Sequence, residues 1–202
     1  MKIVGLTGGI ACGKSTVAAL LREQRLPVVD ADQLARDVVA PGGTALEEIV
    51  ALFGTSVLTS GGELDRRELG RIVFDDVEAR RKLEAITHPA ILLASQERFI
   101  DLSREGHDLA FYEAALLVET GGYKNMWALL VVTASLETQR ARLLARDSDL
   151  STEEADKRIA SQMPLKEKET VADLIIINNG SEEALRVEVS EAVRQLREQL
   201  DG

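Results

Sequence analysis

A single cysteine, Cys12, leaves the chain unable to close an internal disulfide, which fits a reducing compartment. No stretch approaches the roughly 18 apolar residues that span a bilayer, so no membrane association is expected. The first residues, Met1 to Thr7, are apolar but run into glycines and a lysine rather than a small-residue cleavage site. No secretory leader is therefore expected, and the expected setting is the cytoplasm. Positive charge is scarce: 24 Lys and Arg face 34 Asp and Glu, for a net charge of −10. Such a balance repels nucleic acid and argues against it as a partner. Internal repeats and low-complexity tracts are missing, and nothing in the sequence sets an oligomeric state.

What is present suffices for one domain of ordinary size carrying at most a small insertion. Of the 202 residues, 45% are hydrophobic and 29% charged, the proportions of a chain that buries a core. Five short apolar runs read as strands: Ile3 to Thr7, Val28 to Asp30, Leu109 to Tyr112, Leu129 to Val132 and Leu174 to Ile177. The last two lack polar alternation, which predicts a parallel sheet covered on both faces. Strands separated by helical periodicity give an α/β class. The final helix follows the Asn178-Asn179-Gly180 turn, with Ser181 as its cap. Its stripe of Leu185, Val189, Ala192, Val193, Leu196 and Leu200 is expected to pack on the sheet. Residues 32–103 are mostly of helical pattern and read as an insertion. Within them, Pro89 suits the first position of a helix capped by His88. Residues 147–170 are charged and poor in large apolar groups, and read as an exposed, mobile flap.

Gly8-Gly9-Ile10-Ala11-Cys12-Gly13-Lys14-Ser15 matches G-x-x-x-x-G-K-S between a strand and a helix. Glycines let backbone N–H groups wrap phosphates, and the helix start adds its positive dipole end. Lys14 supplies a point charge for the terminal phosphates, and Ser15 offers a hydroxyl to Mg²⁺. Cys12 has two readings. A helix N-terminus and a lysine could lower its pKa and make a redox switch; the favoured reading is a small residue that fits the loop. A GTP switch is excluded by the lack of Asn-Lys-x-Asp and Asp-x-x-Gly. The run from Leu58 to Glu63 loosely echoes a transport-ATPase signature, but Ser60-Gly61-Gly62 reads better as a turn.

Ligands of doubly wound sheets sit at the carboxyl ends of strands, where Asp30 and Asp32 fall. Asp32 is either the base for an acceptor hydroxyl or a plain helix cap. Arg36 follows one turn later. Glu113 ends the third strand and reads equally as a water-mediated Mg²⁺ holder or a solvated strand end. The stretch from Leu136 to Arg146 carries Arg140, Arg142 and Arg146 against Glu137. Gln139, Arg142 and Arg146 share a face suited to clamp a phosphoryl group.

With these residues placed, the sequence resembles the dephospho-CoA kinase family. The likeness runs from Gly5-Leu6-Thr7-Gly8-Gly9-Ile10 and Gly13-Lys14-Ser15-Thr16 through Asp30-Ala31-Asp32 and Arg36. It continues with Leu64-Asp65-Arg66-Arg67, Phe74, Thr87-His88-Pro89 and Leu116-Leu117-Val118-Glu119. It ends with Gln139, Arg142, Arg146, Arg158 to Met163, Lys166, Ala172-Asp173 and Asn178-Asn179-Gly180. Two departures stand out: Glu113-Ala114-Ala115 replaces the usual Asp-x-Pro, and Ala11-Cys12 replaces Gly-Ser.

The resemblance implies a P-loop NTPase fold, with a parallel five-stranded sheet flanked by helices. It implies a nucleotide-binding core of residues 1–31, 104–135 and 171–202, a helical substrate-binding region of 32–103 and a lid of 136–170. The implied reaction is ATP-dependent phosphorylation of the ribose 3′-hydroxyl of dephospho-CoA, with Mg²⁺. Asp32 would be the base, with Lys14 and Arg142 as the other catalytic groups. ATP would be held by Gly8, Gly9, Ile10, Ala11, Cys12, Gly13, Lys14, Ser15, Thr16, Arg142, Arg146 and Asn179, with Arg158 assisting and Ser15 on the metal. The acceptor would meet Asp32, Arg36, Arg66, His88, Leu116, Glu119 and Tyr123. A kinase for another nucleoside or nucleotide, and an ATP-binding regulator, are the alternatives.

Overall fold

Five short strands form one sheet in this computed structural model, which describes residues 1–201. In chain order the elements begin with β1 (Lys2–Gly8), α1 (Lys14–Glu23), β2 (Val28–Asp30), α2 (Ala31–Asp37), α3 (Thr44–Phe53), α4 (Arg66–Phe74) and α5 (Val77–Arg104). They continue with β3 (Leu109–Glu113), β4 (Ala128–Thr133), α6 (Leu136–Arg146), α7 (Thr152–Ala160), α8 (Leu165–Glu169), β5 (Leu174–Ile177) and α9 (Glu182–Asp201). The sheet order is β2-β3-β1-β4-β5. β1 pairs in parallel with both β3 and β4, and β4 with β5. All five expected strands are present, each within a residue of its expected bounds.

Residues 1–28 and 106–201 make one compact unit. β4 explains why its sequence lacks polar alternation. Leu130 and Val132 enter one core with α1 and α9, while Leu129 and Val131 enter a second core with Leu117, Val118, Met163 and Val171. Gly5 belongs on that second face, because a Cβ there would lie 2.5 Å from Leu117 Cδ2. β5 departs from expectation. Its Ile175 and Ile177 are exposed, since β5 is an edge strand and only Ile176 is fully buried. The apolar stripe of α9 packs as expected, with Leu185, Val189 and Leu196 buried. Ser181 Oγ accepts from the Ala184 N–H.

The segment expected as an exposed flap is mostly exposed, and it is largely helical. Ser151 and Glu154 close a reciprocal capping box on α7. Ala155 and Lys168 are buried, and Met163 and Leu165 pack on the two cores. Charge dominated the sequence pattern, but a few small or apolar residues suffice to seat two short helices.

Residues 29–105 form the second unit, with a core of Val39, Ala45, Ile49, Val57 and Leu69. Asp30 caps α2, its Oδ1 accepting from the N–H groups of Asp32 and Gln33. A cap of this kind contributes about 1 kcal/mol. Leu58 and Leu64 form an antiparallel bridge around a turn with Gly62 at φ 80, so Ser60-Gly61-Gly62 is a turn. The expected helix start at Pro89 is wrong: α5 runs straight through it, capped by Asp76, and His88 is an exposed mid-helix residue. Proline removes one backbone bond. Leu83 and Ile86 before it and Ala90 after it pack on the same core, and that packing carries the helix across.

Candidate active site

The loop between β1 and α1 is shaped by glycines that have no alternative. A Cβ on Gly8 would lie 2.4 Å from the Val132 carbonyl oxygen. Gly13 has φ 89, and a Cβ there would lie 2.2 Å from Asn178 Nδ2. Ala11 adopts φ 57, a left-handed conformation that costs a residue with a Cβ about 1 kcal/mol. The loop borders a cavity of about 410 Å³, lined by Gly8, Gly9, Ile10, Ala11, Gly13, Lys14, Ser15 and Thr16 together with Ala115, Arg142, Arg146 and Gln162.

Lys14 Nζ donates to Glu113 Oε1 at 2.7 Å, and Arg22 Nη2 stands 3.8 Å from the other carboxylate oxygen. Glu113 is only 4% exposed in its side chain, so the solvated-strand-end reading fails. Gln139 Nε2 donates to the Ile10 carbonyl at 3.3 Å and reaches Cys12 Sγ at 3.1 Å. Ile10 N–H donates to Gln162 Oε1 at 2.7 Å. One loop residue, Ile10, is thus held by glutamines at both its N–H and its carbonyl. Burial raises the Cys12 thiol pKa, outweighing the hydrogen bond from Gln139 and the charge of Arg142, so the lowered-pKa redox reading is overturned.

Arg142 Nη2 donates to Asn178 Oδ1 at 3.1 Å, and Asn178 Nδ2 donates to the Cys12 carbonyl at 2.9 Å. Arg142 Nη1 is buried with no hydrogen-bond partner. Asn179 Oδ1 accepts from Ser135 N–H at 2.8 Å, joining the turn after β5 to the start of α6. Arg146 and Arg158 both approach Asp147 Oδ2, at 3.6 and 2.8 Å. Arg140 grips Asp156 through two nitrogens, tying α6 to α7.

Leu116, Glu119 and Tyr123 lie after β3 in the same unit. Leu116 is exposed, and Tyr123 packs beside Leu117. Lys168, with no exposed surface, places Nζ 2.7 Å from Glu119 Oε1 and donates to the Ala115 carbonyl at 3.2 Å. Glu119 Oε2 is buried without a hydrogen-bond partner.

The remaining predicted acceptor residues belong to the helical unit. Asp32, Arg36, Arg66 and His88 are all exposed there. Since Asp30 performs the cap, the Asp32 carboxylate on the first turn of α2 is not engaged by the helix end. A groove of about 410 Å³ in this unit is lined by Asp65, Arg67, Glu68, Gly70, Arg71, Phe74 and Asp75, and none of the four faces it.

Sequence reasoning assigned no role to Gln162 or Lys168, and read Asn178 only as part of the turn expected to border the adenine. Asn178 and Gln162 stood inside recognised motifs, and that was their signal. Lys168 had none, being one more charge in a charged run. Among the described residues no group of three or more His, Cys, Asp or Glu side chains could hold a metal, and no helix is long and apolar enough to cross a membrane.

A glycine-shaped anion loop at the carboxyl end of a parallel sheet, with a lysine and an arginine on one cavity, defines a P-loop nucleotide-binding protein of the small-molecule kinase type. The dephospho-CoA kinase family model matches residues 2–184. A dephospho-CoA kinase of Anaeromyxobacter dehalogenans is 51% identical, covering 98% of this chain and 93% of the relative. That of Geobacter sulfurreducens is 48% identical, covering 95% and 96%. The solved dephospho-CoA kinase of Campylobacter jejuni superposes with a TM-score of 0.74 at 32% identity, covering 97% of this chain and 98% of that one. The chain belongs to the dephospho-CoA kinase family.

Proposed function

We propose that this chain transfers the γ-phosphoryl group of ATP to the ribose 3′-hydroxyl of dephospho-CoA, releasing ADP and coenzyme A, the last step of coenzyme A synthesis. The observation that carries this reading is the cavity over Gly8–Thr16 with Lys14 and Arg142 on its wall, in a chain whose family motifs run almost end to end. Phosphoryl transfer needs little covalent help from the protein. It needs positioning and fixed positive charge where negative charge gathers.

In this reading the loop N–H groups and Lys14 hold the phosphates, and Lys14 exchanges its Glu113 partner for phosphate oxygen. Arg142 faces the transferring group, Arg146 and Arg158 assist, and the Asn179 turn borders the adenine. Mg²⁺ bound with ATP would supply neutralisation of phosphate charge. Ser15 fits as its protein ligand because its exposed hydroxyl lines the cavity, and one or two protein oxygens suffice for this ion. Asp32 accepts the 3′-hydroxyl proton as the new O–P bond forms and the bond to ADP breaks. Arg36, Arg66, His88, Leu116, Glu119 and Tyr123 bind the acceptor. Residues 32–103 are its binding region, and 136–170 act as a lid that excludes water. The setting is the cytoplasm, with no nucleic-acid partner.

Incubating the purified chain with ATP and a panel of acceptors tests the reading. Coenzyme A and ADP should form in equal amounts from dephospho-CoA. Equally efficient phosphorylation of adenosine or a nucleoside monophosphate would overturn the acceptor assignment and leave only the kinase class.

A further inference from the structure

Arg142 is one of the long, rotamer-rich side chains that ordinarily cost entropy to hold in place. Here its guanidinium is held by a single residue with no assigned catalytic role. Asn178 is buried at the end of β5 and uses both ends of its amide: Oδ1 accepts from Arg142 Nη2, and Nδ2 donates to the carbonyl of Cys12 inside the phosphate loop. The loop makes room for this amide, since any Cβ on Gly13 would collide with Asn178 Nδ2. The other guanidinium nitrogen, Arg142 Nη1, is buried, unpartnered, and belongs to a residue that lines the cavity. A buried donor left without an acceptor is costly unless a ligand supplies one.

We infer that Asn178 is a positioning residue: it locks Arg142 to the phosphate loop so that Nη1 is aimed at the phosphoryl group in transfer. The guanidinium is a rigid fork, so fixing one nitrogen sets the direction of the other. Arg142, although within the proposed lid, is then part of a preformed electrostatic site whose aim does not depend on closure of the rest of it, residues 147–170. This inference rests on the catalytic role proposed above for Arg142.

A double-mutant cycle tests it, with kcat and the KM for ATP measured separately for Arg142→Ala, Asn178→Ala and the pair. Arg142→Ala should lower kcat about 10²–10³-fold, as loss of a transition-state donor does. Asn178→Ala should lower kcat about 10-fold in the native background, with a smaller change in KM, and by less than about 2-fold once Arg142 is gone. If Asn178→Ala cost the same factor in both backgrounds, its role would be structural and the inference would fall. A rise in KM with kcat unchanged would make it a nucleotide-binding group instead, and would equally overturn the inference. An unchanged kcat in Arg142→Ala would remove the role of Arg142 itself, and that of Asn178 with it. Should Asn178→Ala not fold, Asn178→Asp keeps the acceptor for Nη2 while its carboxylate neutralises the guanidinium. Its loss of kcat must also vanish in the Arg142→Ala background.

Discussion

Lys14 and Arg142, in the unit built on the sheet, have side-chain partners at 2.7 and 3.1 Å. Asp32, Arg36, Arg66 and His88, in the helical unit, present exposed side chains that make no hydrogen bond or ion pair among the described residues. The contrast separates two ways of carrying function. In the first unit Lys14 and Arg142 each also satisfy a buried neighbour, so removing either disturbs stability and activity together. In the second the groups rest on well-capped helices and can be changed with little effect on the fold. Preorganised charge suits the phosphate side, where fixed donors cost no reorganisation during transfer.

The comparison breaks most readily at Lys14. Lys14→Ala should lower kcat about 10²–10³-fold or more. It should also destabilise the chain by up to about 3 kcal/mol, because the buried Glu113 loses its 2.7 Å partner and keeps only Arg22 at 3.8 Å. Adding Glu113→Gln should restore most of the stability in urea titrations and none of the turnover. Recovery of turnover would contradict the phosphate-binding role of Lys14.

Lys168 offers the same test without the phosphate loop. Lys168→Met should cost about 3 kcal/mol by breaking its buried pair with Glu119, and Glu119→Gln in addition should recover most of it. Urea denaturation midpoints read both, and no recovery would show that the charge pair is not the source of the loss.

Smaller effects sharpen the account of the loop. Ala11→Gly should relieve the left-handed strain and stabilise by about 1 kcal/mol, which raises the melting temperature by roughly 2–4 °C for a chain of this size. An unchanged or lower melting point would mean that the strain is relieved elsewhere. The Cys12 thiol, its pKa raised by burial, should react with a thiol reagent at pH 8 far more slowly in the native chain than in urea. Equal rates would reopen the redox reading.

The five strands were legible in the sequence because each is a short apolar run, although β5 lies at the sheet edge with Ile175 and Ile177 exposed. The phosphate loop was legible because its glycines are sterically obligatory. Pro89 misled because local propensity marks a helix start there, while packing by Leu83, Ile86 and Ala90 holds one long helix. The helices of residues 147–170 were hidden by their charge. Asn178, Gln162 and Lys168 could not be read at all as partners. Their meaning lies in contacts to Cys12, Ile10 and Ala115, at separations of 166, 152 and 53 residues, and no local pattern encodes those. Lys14 and Glu113 were each noticed, but not as a pair, for the same reason.

The division of labour between the units is tested most directly at Asp32, by titrating ATP calorimetrically into Asp32→Asn and measuring its turnover with dephospho-CoA. As an exposed residue, Asp32 should be replaced at a cost within about 0.5 kcal/mol of stability. ATP affinity should be unchanged while kcat falls about 10²–10⁴-fold, the loss expected of a general base. A parallel fall in ATP affinity would contradict the account, since Asp32 would then serve the nucleotide or its metal rather than the acceptor hydroxyl.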